Sequence, residues 1–207
     1  MVKAKETQEE RKQRLLIESD YYSEVLDAWF IALEKAGRNP NCIMKKYILE
    51  DGGIINHQRF NHYFRTLEAL YDITRIRFCS KVKTVGHDFE HQILRGDKLW
   101  ELYLDAVREC RKECKMALIR KDISFFEASL SELHYYFENV ICETSSDGRA
   151  YMYCMAAAAG IVKKAVEEWD SLGYDQVIKS KIARDIAGML YCLDHPATTF
   201  SRVIRRG

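Results

Sequence analysis

The stretch DKLWELYLDAVRECRKECKMA, residues 97–117, decides the fold. Its apolar side chains recur every three to four residues, which is the period of an α-helix with one buried face. They are Leu99, Trp100, Leu102, Tyr103, Ala106, Val107, Cys110, Cys114 and Ala117. Asp97 can cap this helix, because an Asp side chain accepts hydrogen bonds from the free backbone amides of a first turn. The stretch therefore predicts an amphipathic helix over 97–117.

The same period extends along most of the chain. The 207 residues include 2 prolines and 10 glycines, and so few helix breakers favour long helices over many short strands. We expect an all-α fold, a single compact domain over 1–207 with about seven helices in an irregular or orthogonal bundle. A charged N-terminal extension (1–14) and a basic C-terminal tail (197–207) flank it. The predicted helices cover 7–36, 41–50, a segment that begins after Asn56 and breaks near Gly86, 87–94, 97–117, 122–141, 149–172 and a last segment between Asp175 and Pro196.

One predicted helix is unusually rich in small residues. Within 149–172 the sequence reads Met155-Ala156-Ala157-Ala158-Ala159-Gly160. Such small side chains allow the backbone of a neighbouring helix to approach closely. We therefore predict that this Ala-rich helix is the buried central helix of the bundle.

The composition is that of a globular protein in a reducing compartment. Lys and Arg total 32 against 31 acidic residues, so no global charge commits the chain to nucleic acid or to an acidic membrane. The 7 cysteines are odd in number and lie mostly among apolar helix positions, which favours free thiols. No secretion signal and no window of about 20 apolar residues is evident. We expect a cytoplasmic or nuclear protein that is neither secreted nor membrane-spanning.

Charge is segregated along the chain in blocks. Two segments, 59–83 and 108–121, are predominantly basic, whereas 122–147 contains acidic residues and no Lys or Arg. The basic candidates for partner or nucleic-acid binding are Arg59, Arg65, Arg75, Arg77, Lys81, Lys83, Arg108, Arg111, Lys112 and Lys115. The candidates for an acidic partner face are Glu127, Glu132, Glu138 and Glu143.

These blocks support more than one function. The first hypothesis is a non-enzymatic binding or assembly protein that self-associates, with the basic face of one copy on the acidic face of another. The alternative is a helical nucleic-acid-binding protein, because Tyr and Phe interleave the basic segments and can stack on bases. A third interpretation is that each block is simply a solvated face.

Motifs for catalysis and metal binding are weak. No nucleophile elbow, phosphate loop or dinucleotide fingerprint is present, so we expect no catalytic residue, no cofactor and no small-molecule substrate. His87 and His91 are four residues apart and could share a helix face, but Asp88 occupies the place where a zinc-protease motif has Glu. We interpret them as surface histidines and expect no metal site.

The last part of the chain resembles the Bcl apoptosis-regulator family. In that family a Gly-Arg pair begins a central buried helix with small residues about two turns later, and Gly148-Arg149 followed by Ala157 and Ala158 has this outline. Gly96-Asp97 is similar to the family's Gly-Asp pair. The resemblance implies a helical regulator that binds a partner helix in a groove.

The match to that family has departures at two motif positions. Ser146-Asp147 stands where the family has Asn-Trp before Gly-Arg, and Gln92 replaces a Leu four residues before the Gly-Asp pair. The partner-helix groove therefore stands as an alternative beside self-association and nucleic-acid binding.

Overall fold

A computed structural model describes residues 7–91, 96–137, 148–172 and 176–194. These residues form eleven α-helices and one 3₁₀ helix (Pro40–Cys42), with no strand among them, which confirms the all-α prediction. The α-helices are α1 (Gln8–Ile17), α2 (Asp20–Lys35), α3 (Lys45–Leu49), α4 (His57–Tyr63), α5 (Leu67–His91), α6 (Gly96–Glu109), α7 (Arg111–Ile119), α8 (Ile123–Ser131), α9 (His134–Tyr136), α10 (Gly148–Leu172) and α11 (Gln176–Asp194).

The predicted count of about seven helices is not confirmed, because several predicted helices are interrupted. The helix expected over 7–36 is broken at Ser19, whose backbone is extended (φ −90°, ψ 148°) and whose hydroxyl donates to the Leu16 carbonyl at 2.6 Å. The helix expected over 97–117 is broken at Cys110, where the backbone leaves the helical region (φ −101°, ψ 33°). Part of the predicted N-terminal extension belongs to α1, and the predicted tail lies outside the described residues.

Helix α5, in contrast, is longer than predicted. It continues through Gly86, where a break was expected. A Cβ atom at Gly86 would lie 2.8 Å from the Glu132 carbonyl oxygen and 3.3 Å from the Leu133 side chain. The glycine therefore allows the turn after α8 to pack directly on the α5 backbone. Glycine usually predicts a helix break, but Gly86 lies inside α5, where its lack of a side chain makes room for this contact.

The residues group into two compact units, Met1–Arg77 (unit 1) and Phe78–Gly207 (unit 2), and the division falls within α5. The single domain over 1–207 remains a prediction. In unit 1, α2 packs against α1 and α3, and Trp29, Phe60 and Phe64 are fully buried. The Trp29 indole N–H donates to the Tyr71 hydroxyl at 3.2 Å.

Unit 2 has an aromatic core in which two buried tyrosine hydroxyls are hydrogen-bonded. The Trp100 indole N–H donates to the Tyr136 hydroxyl at 3.3 Å, and the Tyr103 and Ser129 hydroxyls are 2.8 Å apart. Burial raises the pKa of Tyr136 to about 12 and the pKa of Tyr103 well above its usual value. Both phenols therefore stay neutral, and their hydrogen bonds fix how the rings pack.

The Ala-rich helix is α10, which packs against α7, α8 and α11. Ala158 and Ala159 are fully buried, but Ala156 and Gly160 are exposed. The predicted central helix is therefore buried along one face of its small-residue run and open along another. None of the helices in the described ranges is both long and apolar enough to cross a membrane.

Helices α6 and α11 are joined by a polar cluster as well as by apolar packing. The Lys179 ammonium, which is 5% exposed as a residue, donates to both oxygens of Asp105 at 2.9 and 3.0 Å. Next to it the Ser180 hydroxyl donates to Glu101 at 2.6 Å. The cluster compensates a lysine that would be costly to bury without a partner.

Candidate nucleic-acid interface

Helix α4 of unit 1 carries the strongest candidate site. The Asn56 side chain accepts a hydrogen bond from the Arg59 backbone amide at 2.8 Å, which caps the first turn of this short helix. Arg59, His62 and Tyr63 then fall three to four residues apart and share one side of α4. Arg65 follows in the link to α5.

Cationic groups lie over aromatic rings around α4. The Arg59 guanidinium carbon is 4.0 Å from the Tyr21 ring centroid, and the Lys12 Nζ is 5.6 Å from the Tyr63 ring centroid. The Tyr21 and Tyr63 rings are themselves 6.5 Å apart, centroid to centroid. These separations are those of cation–π contacts, in which the ring face attracts the positive charge and holds the cation in place.

Further contacts extend this arrangement. The Lys45 Nζ lies 5.4 Å from the Phe60 ring centroid and donates to the Arg65 carbonyl at 3.1 Å. The His62 and Tyr63 ring centroids are 4.9 Å apart. We call this set the basic-aromatic surface, and it consists of Lys12, Tyr21, Lys45, Arg59, His62, Tyr63 and Arg65.

Three cations of this surface have no acidic partner in the part of the chain that the structure describes. Within the described ranges, Lys12, Arg59 and Arg65 have no carboxylate at ion-pair distance. Lys81, in contrast, lies 2.8 Å from a Glu109 oxygen. The basic-aromatic surface therefore offers positive charge to an external anion.

A cleft of about 430 Å³ opens at one side of this surface. Its polar walls come from Lys12, Gln13, His62 and Arg65, with the Tyr63 ring beside them. Its apolar part includes Leu16, Ala69, Ile73 and Ile76 of α1 and α5. Asp72 is the acidic residue of the lining, and its carboxylate already pairs with Arg75 at 2.7 Å. The cleft can thus hold a ligand with one flat or apolar part and one anionic part.

Tyr21 supports the surface from below. It is 6% exposed, and its hydroxyl has no hydrogen-bond partner among the residues that the structure describes. Burial raises the pKa of the Tyr21 hydroxyl, although the Arg59 guanidinium lowers it in part. The phenol is neutral at physiological pH, and its ring holds the Arg59 guanidinium from one side.

The structure divides the first predicted basic segment. Arg59 and Arg65 belong to the basic-aromatic surface, whereas Arg75 is neutralised by Asp72 on the same helix. Arg77 lies 5.5 Å from the Tyr22 ring centroid and is half-buried. Lys81 and Lys83 belong to unit 2.

The second basic segment and the acidic segment both lie in unit 2. Arg108, Arg111 and Lys115 are exposed and Lys112 is half-buried. Glu127 and Glu132 are half-buried, and Glu138 and Glu143 lie outside the described residues. Docking of a basic face on an acidic face remains a prediction.

The candidate histidines are not part of a metal-binding cluster in the described ranges. His87 is exposed and shares a cleft of about 200 Å³ with His134 and Glu132. His91 is the last residue of α5. No group of three or more His, Cys, Asp or Glu residues is placed to hold a metal ion in the parts of the chain described.

Sequence patterns missed Lys12, Tyr21, Lys45, His62 and Tyr63. A local signal for part of the site was present, since Arg59, His62 and Arg65 recur every three residues. Lys12 and Tyr21 carry no such signal, because they reach the site from α1 and α2 through tertiary packing.

The family resemblance can also be located in the structure. Gly148-Arg149 begins α10 and Gly96-Asp97 begins α6, while Ser146-Asp147 and Gln92 lie outside the described residues. An apolar groove of about 490 Å³ lies between α10 and α11. No known family model, no curated protein and no solved structure matches this chain.

Proposed function

We propose that this protein is a non-enzymatic binding protein that holds single-stranded nucleic acid on the basic-aromatic surface of unit 1. The observation that carries the proposal is the pair of cations, Arg59 and Lys12, held over tyrosine rings without carboxylate partners in the described chain. Single-strand binders combine a basic track for phosphates with flat groups on which bases stack.

Arg59 supplies both properties. Its guanidinium is held over Tyr21 on one side, and the residue is exposed, so a base can stack on the outer side of the planar cation. Lys12 and Arg65 supply further positive charge near Tyr63. Bases in a duplex are already stacked on each other, so this arrangement favours single strands.

Self-association through charged faces is the less favoured hypothesis. Arg75 and Lys81, two of the basic residues on which it depends, already have acidic partners within their own unit. A basic residue with an internal partner gains little from an acidic residue of a second copy. Nucleic-acid binding instead uses the cations that lack such partners.

The test is fluorescence anisotropy with a labelled short single-stranded RNA over a range of salt concentrations. We expect the logarithm of the association constant to fall linearly with the logarithm of salt, with a slope of about −2 for three phosphate contacts. Arg59→Gln should weaken binding by about 10-fold and reduce that slope by about 0.7.

The matched control is Arg38→Gln, because Arg38 is exposed in unit 1 but pairs with Glu34 at 3.0 Å. It should bind as the parent does, and circular dichroism should show both variants folded. The proposal is wrong if the parent does not bind RNA at low salt, if both variants lose affinity equally, or if vesicles of anionic lipid bind more tightly than the RNA.

A further inference from the structure

We infer that the cleft beside Tyr63 binds the phosphorylated end of a strand, namely one terminal nucleotide that carries a phosphate monoester. The inference rests on the proposed function and assigns a ligand to one part of the same surface. It follows from the shape of the cleft, its charge and the ring at its side.

The dimensions of the cleft suit one nucleotide. Its volume of about 430 Å³ lies in the range of small-ligand sites, roughly 300–1,000 Å³. Leu16 and Ile73 are buried beneath it, so part of the lining is apolar. The Tyr63 ring stands beside the polar wall and offers a surface for a base or a ribose.

The charge of the cleft exceeds what an internal phosphate requires. Lys12 and Arg65 bring two positive charges to the cleft, and Asp72, the acid of the described lining, is compensated by Arg75. An internal phosphodiester carries one negative charge, whereas a terminal monoester carries about −1.5 to −2 at neutral pH. The cation count therefore matches a monoester better than a diester.

The donor types agree with this assignment. An Arg guanidinium can donate two parallel hydrogen bonds to one phosphate, and a Lys ammonium acts as a compact point charge. Lys12 is held near the Tyr63 ring by its cation–π contact, at 5.6 Å from the centroid. A phosphate at this polar wall would place the attached nucleoside toward the ring and the apolar lining.

The experiment compares RNAs of one sequence with a 5′-phosphate, a 3′-phosphate, hydroxyls at both ends, or a closed circle, at about 150 mM salt. We expect one phosphorylated end to bind at least about 10-fold more tightly than the hydroxyl-ended and circular forms, which should bind equally. Arg65→Gln should weaken binding of the phosphorylated RNA by a larger factor than binding of the hydroxyl-ended RNA, so that the preference falls below about 3-fold. Arg38→Gln should keep both properties.

Competition then separates a nucleotide site from a site for phosphate alone. A nucleoside monophosphate that carries its phosphate at the preferred end should displace phosphorylated RNA at concentrations at which inorganic phosphate does not. If inorganic phosphate competes equally, the terminal-nucleotide assignment is wrong. If circular and phosphorylated RNA bind equally, the inference is wrong and the proposed function stands. If no RNA binds, the proposed function itself is wrong.

Discussion

Two sites, the basic-aromatic surface of unit 1 and the polar cluster of unit 2, use basic residues in different ways. In unit 1, Arg59 and Lys12 lie over the rings of Tyr21 and Tyr63, and neither cation has a carboxylate partner in the described chain. In unit 2, Lys179 is 7% exposed as a side chain and is held by both oxygens of Asp105. We expect a basic residue whose charge is compensated inside the fold to contribute to stability, and the cations of the basic-aromatic surface to contribute to the proposed binding.

The hydroxyl of Tyr21, under the basic-aromatic surface, also differs from the tyrosine hydroxyls in the core of unit 2. In unit 2, the buried hydroxyls of Tyr103 and Tyr136 are hydrogen-bonded to Ser129 and Trp100. In unit 1, the buried hydroxyl of Tyr21 has no partner among the residues that the structure describes. We therefore expect substitutions in the interior of unit 2 to lower stability and substitutions on the basic-aromatic surface of unit 1 to lower affinity.

The largest effect is expected in the packed face of α10. Ala158 is fully buried, so Ala158→Leu adds three carbons where no space exists and should lower the free energy of unfolding by about 1–3 kcal/mol. Ala156→Leu makes the same change on the exposed face and should alter stability by less than about 0.5 kcal/mol. Urea denaturation followed by circular dichroism measures both.

The variants Ala158→Leu and Ala156→Leu also test self-association. Ala156 lines the groove between α10 and α11, so a second copy seated there would make Ala156→Leu disruptive as well. Light scattering after size exclusion reports this directly. Loss of an oligomer in Ala156→Leu would contradict our preference for nucleic-acid binding over assembly. Parent-like stability of Ala158→Leu would contradict the buried face of α10.

A matched pair of Lys→Met substitutions tests whether Lys179 acts in stability and Lys12 in binding. Lys179→Met removes the charge that pairs with Asp105, and it should lower the free energy of unfolding by roughly 1–2 kcal/mol without affecting RNA binding. The effect stays below that of a fully buried pair, because the Asp105 side chain is 41% exposed and can be rehydrated. Lys12→Met should change stability by less than about 0.5 kcal/mol and weaken RNA binding. Reversed results would remove the distinction between the units.

The helical period predicted the fold class because it depends only on neighbours three and four residues apart. The ends of helices were harder to predict, since they depend on tertiary contacts. Gly86 lies within α5 and packs against the turn after α8, whereas the break at Ser19 is accompanied by a local hydrogen bond from its hydroxyl to the Leu16 carbonyl. Neither contact leaves a periodic signal in the sequence.

The candidate site was predicted only in part, because the contacts that define it are tertiary and leave no pattern in the sequence. Arg59 and Arg65 were identified because basic residues cluster locally in their segment. Sequence patterns did not separate them from Arg75, because the distinguishing feature is an Asp72 carboxylate 2.7 Å from Arg75. Lys12 was missed because the Tyr63 ring that holds it belongs to a different helix.

The smallest expected effect is a pH dependence in the polar cluster of unit 2. Hydrogen bonds from Ser180 at 2.6 Å and from Lys98 at 3.1 Å lower the pKa of Glu101 from its usual value of 4.5. A carboxyl whose pKa is lowered by folding stabilises the protein above its unfolded pKa, and this stabilisation is lost as the pH falls through the folded pKa. We expect Glu101 to contribute less than about 1 kcal/mol at pH 7, and that contribution to start to fall at the usual Glu pKa and to disappear below the lowered pKa of the folded state.

Urea denaturation of the parent and of Glu101→Gln at several pH values between about 7 and 3 measures this contribution. Glu101→Gln should be slightly less stable at neutral pH, and its difference from the parent should vanish in acid, because the parent then also carries a neutral side chain. Ser180→Ala should reduce the same difference, since the Ser180 hydroxyl is the largest cause of the lowered pKa. A constant difference across the range would show that Glu101 acts through packing, and the polar cluster of α6 and α11 would then not act through charge at this position.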